Sequence, residues 1–361
     1  MSTRDGVLVT GASGLVGAEV VARLLAAGRP VVTVVHSNPT IVGNDGSVID
    51  GATFVSGNVR EPALGIDGAT LDELSGLVGT IVHCAATTAF DARPEDYEQL
   101  NVAGTDHAIA LAQRWDVPLV HVSTAYVCGM RTGTVRENEL NAGQEFGNGY
   151  EDSKCRAEQR VHDAGADGLR WSIVRPGIVC GTAGTGAIRE FKNFYTVVKL
   201  MTEGKLRTLP GRYDATIALA PVDYVADVIT TAVTDFEAAA GRTMHAVGND
   251  VLSMREVSDI FAEYPSFQVA TFVPETGFSA ADLPGVEREY YLRIGSLYDS
   301  YFSRKLAFDT SNSTALLGTP PPASGQDYLR SLLDYCLETG FLGTVLPSID
   351  DILAAETEAA R

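Results

Sequence analysis

An α/β fold built on a doubly wound parallel sheet, with a smaller C-terminal region, is predicted by three features of this 361-residue chain. The first is the stretch from Val7 to Gly17, in which an apolar strand runs straight into a glycine-spaced turn and then an amphipathic helix. The second is the alternation of short β-rich runs with helical patterns as far as Pro176. The third is that the β-rich runs are continuously apolar, as in Val31 to Val35 and Leu119 to Val122, which suits strands covered by helices on both faces.

Each element has its own signal. Val7 to Thr10 form the first strand, and Val16, Val20, Val21, Leu24 and Leu25 make one stripe of a helix near 14–27 that Gly28 and Pro30 end. Further strands are expected near 31–35, 52–56, 79–83, 118–123 and 170–175, with helices near 95–113 and 150–165. After Pro176 the rhythm changes: Gly181, Gly184, Gly186, Gly204 and Gly211 surround a helical segment, and regularity falls. Residues 1–178 are therefore read as a nucleotide-binding unit, rejoined by segments near 215–248. Residues 179–361 are read mainly as a substrate-binding region. The tail from Asp350, rich in Ala and Glu, reads as a solvated helix or a frayed end.

The glycines give the first unit its chemistry. Gly11 allows a tight turn, Gly14 lets backbone N–H groups approach a pyrophosphate, and Gly17 lets the helix pack closely on the strand. With a strand before and a helix after, this is a Rossmann-type dinucleotide site, in which Thr10, Ser13, Leu15 and Val16 flank the phosphates. At the end of the second strand, where an NAD-selective site usually carries an acid, the chain has His36, Ser37 and Asn38. With no carboxylate there, NADPH is expected and NADH is the alternative. Asn58 and Val59 end the third strand, where the adenine should lie. Ala85, Ala86 and Thr87 end the fourth, near the pyrophosphate and nicotinamide ribose.

A net charge of −19 argues against nucleic acid or an anionic membrane surface as a general partner. Five cysteines without CxxC spacing suggest free thiols in a reducing compartment and no metal site. The N-terminus shows no leader pattern and no apolar run is long enough to span a membrane, so a cytoplasmic location is expected.

Hydride transfer to a carbonyl leaves negative charge on oxygen, so a site must donate a proton and hold that oxygen. Tyr150 and Lys154, at i and i+4, share one helix face, where the ammonium could lower the phenol's pKa and bond the cofactor ribose. Tyr195 with Lys199 and Tyr301 with Lys305 have the same spacing. Only Tyr150 lies between the fifth strand, ending in Ser123-Thr124, and the sixth, ending in Arg175-Pro176-Gly177, so its helix meets the carboxyl edge of the sheet. The other two tyrosines are read as packing or surface residues. Ser123 and Thr124 compete to be the hydroxyl that meets the carbonyl, because pleat alternation sends one to the cleft and the other into the sheet.

With these residues in place, the chain resembles the extended short-chain dehydrogenase/reductase superfamily over nearly its full length. The residues that carry the likeness are Thr10 to Gly17, Asn101-Val102-Ala103-Gly104-Thr105, Tyr150 with Lys154, Arg175-Pro176-Gly177 and Pro221 to Ala226. Within it the chain is most similar to fatty acyl reductases and thioester reductase domains, through His83 to Phe90, Val122 to Val127 and Phe308 to Asn312. The resemblance implies a Thr124, Tyr150, Lys154 triad. It also implies cofactor contacts from Asn101, Val122, Ser123, Pro176, Gly177, Ile178 and Val179.

It implies NADPH-dependent reduction of an acyl thioester, bound to CoA or to a carrier protein, to an aldehyde and with a second hydride to an alcohol. No appended carrier or adenylation segment is evident, so a free-standing reductase is expected. The arginine that many NADP-using relatives carry after the second strand is absent. The alternatives are a reductase or dehydrogenase of a free ketone, aldehyde or secondary alcohol, a sugar-nucleotide epimerase, or a non-catalytic NADP-binding regulator. A basic run through Arg189, Lys192, Lys199, Lys205, Arg207 and Arg212 is a candidate contact for a phosphopantetheine phosphate or an acidic carrier protein, against the reading of a solvated face. A monomer or a homodimer is expected.

Overall fold

The structure, a computed structural model, describes residues 4–36 and 39–343. Ser37, Asn38 and the tail from Asp350 lie outside the described residues. The principal elements in chain order are β1 (Gly6–Thr10), α1 (Leu15–Ala26), β2 (Val31–Val35), β3 (Thr53–Ser56), α2 (Gly68–Leu77) and β4 (Val78–His83). Then come α3 (Ala103–Trp115), β5 (Leu119–Val122), α4 (Gly149–Ala166), β6 (Trp171–Pro176), α5 (Phe194–Thr202), α6 (Val222–Thr234) and β7 (Thr243–Ala246). Three further helices matter below: α7 (Met254–Phe261), α8 (Asp299–Ser303) and α9 (Gln326–Glu338).

The seven strands form one parallel sheet in the order β7-β6-β5-β4-β1-β2-β3. The order reverses between β1 and β4, and the crevice outside that switch point is where ligands bind in such sheets. One face is covered by α1 and α6, with Val20, Val21, Leu24, Val225, Val228 and Ile229 in a single apolar layer. The other is covered by α2, α3 and α4, with Leu71, Leu74, Leu111, Ala112 and Val161. A separate apolar core forms after residue 180 from α5, α7 and α9.

The six strands expected from sequence are present within a residue or two of their anticipated bounds. The helix expected near 95–113 divides into a short α turn, a π turn at Tyr97–Val102 and α3. Helix α2 carried too faint a pattern to read, since it buries only Leu71 and Leu74. Its start is fixed by a cap, the Asp67 carboxylate accepting from the Thr70 amide at 3.0 Å.

Helix α4 is held in an unusual way. Beside a short apolar stripe of Ala157, Val161 and Ala164, its inner face buries Glu151, Lys154 and Glu158. Arg175 of β6 donates to Glu158 from Nε at 3.0 and 3.1 Å and from Nη2 at 2.5 Å, both residues being almost wholly buried. Arg304, just past α8, donates to Glu151 from Nη1 at 3.1 Å and Nη2 at 2.9 Å. A third clamp starts the helix: Asn148 Oδ1 accepts from the Glu151 amide at 3.0 Å, and Glu151 Oε2 accepts from the Gly147 amide at 3.0 Å. Breaking one buried pair strands a charge, so Arg175→Met should lower stability by about 3–5 kcal/mol in denaturant unfolding. Arg175→Met with Glu158→Leu should restore most of that loss. A single variant as stable as the parent would refute the clamp.

Candidate active site at the carboxyl edge of the sheet

The glycine turn leaves β1 with Gly11 at φ +71°, where a Cβ would meet the Ala85 amide nitrogen at 2.7 Å. At Gly17 a Cβ would lie 2.1 Å from the Gly11 carbonyl oxygen. The turn is therefore closed to side chains at both points. Beside it, a cavity of about 390 Å³ is lined by Gly11, Ser13, His36, Asn58, Val59, Arg60 and Ala85. It is of a size and character to take an adenosine, and none of its lining residues is acidic. A second cavity, of about 400 Å³, begins at Gly11, Gly14, Leu15, Val16, Gly17 and Ala86. It continues past Val122, Ser123, Thr124, Tyr150, Lys154, Gly177, Ile178 and Val179 into the C-terminal core.

Four expected cofactor contacts, Thr10, Thr87, Asn101 and Pro176, line neither cavity, and each makes hydrogen bonds within the protein. The Thr10 hydroxyl is buried against His83 Nδ1 at 2.9 Å and accepts from the Ala85 amide at 3.2 Å. Asn101 Oδ1 accepts from the Thr87 amide at 2.8 Å, while its Nδ2 donates to the Thr87 carbonyl at 3.1 Å and to Ser153 Oγ at 2.9 Å. Pro176 contributes its carbonyl, which accepts from the Thr124 hydroxyl at 3.4 Å. These contacts fix the loop after β4 and the end of β5.

Thr124 and Tyr150 both line the second cavity, and the Thr124 hydroxyl lies near enough to the Tyr150 phenol to favour its ionised form. Ser123 lines the same cavity, with its Oγ buried near the Glu158 carboxylate and without a hydrogen-bond partner. Both candidates left open by sequence therefore stand at the cavity. Burial outweighs the effect of Thr124 and pushes the Tyr150 phenol up to about 12, opposite to the lowering expected from Lys154. Lys154 Nζ is engaged elsewhere, donating to the Val122 carbonyl at 2.8 Å. Burial lowers its pKa to about 8, against the pull of Glu158. At neutral pH, then, Tyr150 is a protonated phenol and Lys154 largely a cation.

The two rival pairs part from this arrangement. Tyr195 accepts from the Gly181 amide at 2.9 Å, and its spacing partner Lys199 is one-third exposed beside Glu203. Tyr301 is buried, and Lys305 lies exposed beside Asp214. Neither pair brings its lysine to a cavity.

Several neighbours of the site were not visible in the sequence. Phe90 stacks on Tyr150 with centroids 5.8 Å apart and on Tyr301 at 5.6 Å, with Tyr298 at 5.1 Å. The Phe90 loop is held by Tyr97, whose hydroxyl donates to the Ala89 carbonyl at 2.6 Å. Arg60 at the adenosine cavity donates to Gln99 Oε1 at 2.6 Å and Asp96 Oδ1 at 2.9 Å. The basic run from Arg189 to Arg212 shares three acids among its six cations. Arg189 and Lys192 pair with Glu190, Lys199 and Lys205 with Glu203, and Arg212 with Asp214, while Arg207 donates to the Gly204 carbonyl. Arg189 also donates to the Ser13 and Val42 carbonyls, tying the C-terminal region to the glycine turn.

The model of a family described as male sterility protein matches residues 9–229, more than half of the chain. The chain belongs to that family. Membership makes it an NAD(P)-dependent oxidoreductase of the extended short-chain dehydrogenase/reductase type. Among curated relatives, the fatty acyl-CoA reductase wat of Drosophila melanogaster is 30% identical over 51% of this chain and 41% of its own length. The isonitrile lipopeptide synthase of Streptomyces coeruleorubidus is 27% identical over 63% of this chain and 16% of its own. The chain thus spans under half the length of either relative. Among solved structures, the terminal R domain from the myxalamid PKS-NRPS biosynthetic pathway superposes with a TM-score of 0.79 at 24% identity, covering 94% of this chain and 92% of that one. A UDP-glucuronic acid 4-epimerase from Bacillus cereus superposes at 0.68 with 20% identity, over 92% and 99% of the two chains. These likenesses show a shared fold. No helix among the described residues is long and apolar enough to cross a membrane.

The Lys154 ammonium is present below about pH 8 and lost above it, so kcat/KM for reduction should hold at neutral pH and fall with an apparent pKa near 8. Lys154→Arg should remove that alkaline limb, whatever its effect on the plateau. A profile flat to pH 9.5 in the parent would show that this ammonium does not govern the reaction.

Proposed function

We propose that this protein is an NADPH-dependent reductase that converts an acyl thioester, on CoA or on a carrier protein, to the aldehyde and free thiol. The observation that carries the reading is that Thr124 and Tyr150 both line a deep cavity that opens from the glycine turn. The relatives support it, since they include a fatty acyl-CoA reductase and a lipopeptide synthase.

When bound, the nicotinamide cofactor supplies a hydride. The Thr124 and Tyr150 hydroxyls hold the carbonyl oxygen as it gains negative charge, and the buried setting strengthens both bonds. Tyr150, a phenol held protonated by burial, gives its proton to that oxygen. The hemithioacetal formed has carbon bonded to hydrogen, hydroxyl and sulfur. Breaking its carbon–sulfur bond yields aldehyde and thiol, the hydroxyl proton passing to sulfur. Lys154 keeps a positive charge under the site and braces the end of β5 through the Val122 carbonyl.

NADPH is favoured because no carboxylate lines the adenosine cavity, where His36 and Arg60 stand. His36→Asp should therefore shift the ratio of kcat/KM for NADPH over NADH toward NADH by about tenfold or more, through repulsion of the 2′-phosphate. An unchanged ratio would place the discrimination elsewhere.

Tyr150→Phe should cut kcat by about 10²–10⁴ while cofactor binding persists, since only the proton donor is lost. Offering an acyl thioester and a free ketone separately with NADPH tests the substrate class. Turnover of the ketone alone would replace the thioester reading with that of a simple carbonyl reductase.

A further inference from the structure

Beyond Tyr150, the larger cavity runs between two helices of the C-terminal core. Val197, Val198 and Met201 of α5 face it from one side and Met254, Val257 and Phe261 of α7 from another. All six are buried members of the same apolar cluster. Near the reacting centre the wall is aromatic: Phe90 stacks on Tyr150, and Tyr298 and Tyr301 close over Phe90. Arg304 fixes that wall, since its guanidinium lies 4.5 Å from the Tyr301 ring centroid while bonding Glu151 beside Tyr150.

Charge is confined to two places. Lys154 lies under the reacting centre, and Glu190 and Lys192 stand at the rim, 36% and 66% exposed and paired with each other. The only other ionisable groups lining the cavity are tyrosines and the Cys84 thiol, which burial pushes up to about 12 and so keeps neutral. An aminoacyl thioester would put its α-ammonium two bonds from the carbonyl carbon, hence close to the buried Lys154 cation and away from any free carboxylate. A charge buried without a partner is strongly disfavoured, and a like charge nearby adds to the cost. A hydrocarbon chain meets only apolar surface there, and gains with each methylene it buries.

We infer that the acyl group is an unsubstituted, uncharged hydrocarbon chain of medium length or longer, that α-amino acyl groups are excluded, and that α5 and α7 set its length. The inference rests on the thioester reading. Its substrate contacts are apolar ones in the C-terminal core, distinct from the cofactor turn and the Thr124–Tyr150 pair.

The test uses pantetheine thioesters of acetate, hexanoate, decanoate and norleucine, each assayed with NADPH. Norleucyl and hexanoyl groups differ only in the α-amino group. From acetyl to hexanoyl, kcat/KM should rise about fourfold per methylene, or more than roughly 100-fold in all. Norleucyl thioester should fall below hexanoyl by about 100-fold or more. Val257→Phe, which fills the cavity from α7, should lower the decanoyl-to-acetyl ratio of kcat/KM by about tenfold or more. A flat chain-length series, a norleucyl thioester used as well as hexanoyl, or an unmoved ratio in Val257→Phe would each overturn the inference. If every thioester is inert while a free ketone is reduced, the thioester reading itself is rejected, and the inference with it.

Discussion

Two buried carboxylate–guanidinium pairs on one helix hold the reacting groups in place. Glu151 and Glu158 lie seven residues apart on the inner face of α4, each held by an arginine from a different part of the chain. Tyr150 and Lys154 sit between and beside them on the same helix. Arg175 ties this face to the sheet, and Arg304 ties it to the C-terminal region that walls the cavity. Burial alone would raise the Glu158 carboxyl, but Arg175 overrides it and holds the pKa at about 2. Such pairs add little net stability over apolar packing, yet they fix geometry, because either partner alone would be an uncompensated charge.

That constraint decides how the two parts of the chain meet. The first 176 residues supply six of the sheet's seven strands, the glycine turn, Thr124 and Tyr150. The apolar cavity comes from later helices, and Arg189 and Arg304 carry those helices onto the glycine turn and onto α4. The cofactor side is built mainly of backbone and small residues, the substrate side of aromatic and aliphatic side chains. Between them, Thr124 and Tyr150 form a narrow polar step. Burial there keeps the Tyr150 phenol protonated at neutral pH, as the proposed role of proton donor requires.

Much of this was legible in the sequence, and the reasons differ by element. Strands β1, β2 and β5 read clearly because both faces are buried and the residues are apolar throughout. Gly11 and Gly17 read clearly because their close contacts admit no side chain. Helix α4 could be placed by its tyrosine–lysine spacing, but its buried face mixes Ala157, Val161 and Ala164 with Glu151, Lys154 and Glu158, which blurs the hydrophobic pattern. The Arg175 and Arg304 partnerships join residues 17 and 153 positions apart, and no local pattern encodes them. Phe90 stood inside a recognised run, yet its place over Tyr150 follows from Tyr97 and from α8, far along the chain. The pairing within the basic run is local by contrast: Glu190, Glu203 and Asp214 are close in sequence to the cations they meet.

The central claim is that Thr124 and Tyr150 serve a carbonyl whose carbon carries a sulfur leaving group. Thiol release measured alongside NADPH oxidation addresses this directly, with a decanoyl pantetheine thioester and a thiol-reactive dye in a single mixture. The account predicts free thiol appearing in step with cofactor oxidation, at one thiol per NADPH for an aldehyde product or one per two for an alcohol. NADPH oxidation with no thiol released would contradict it.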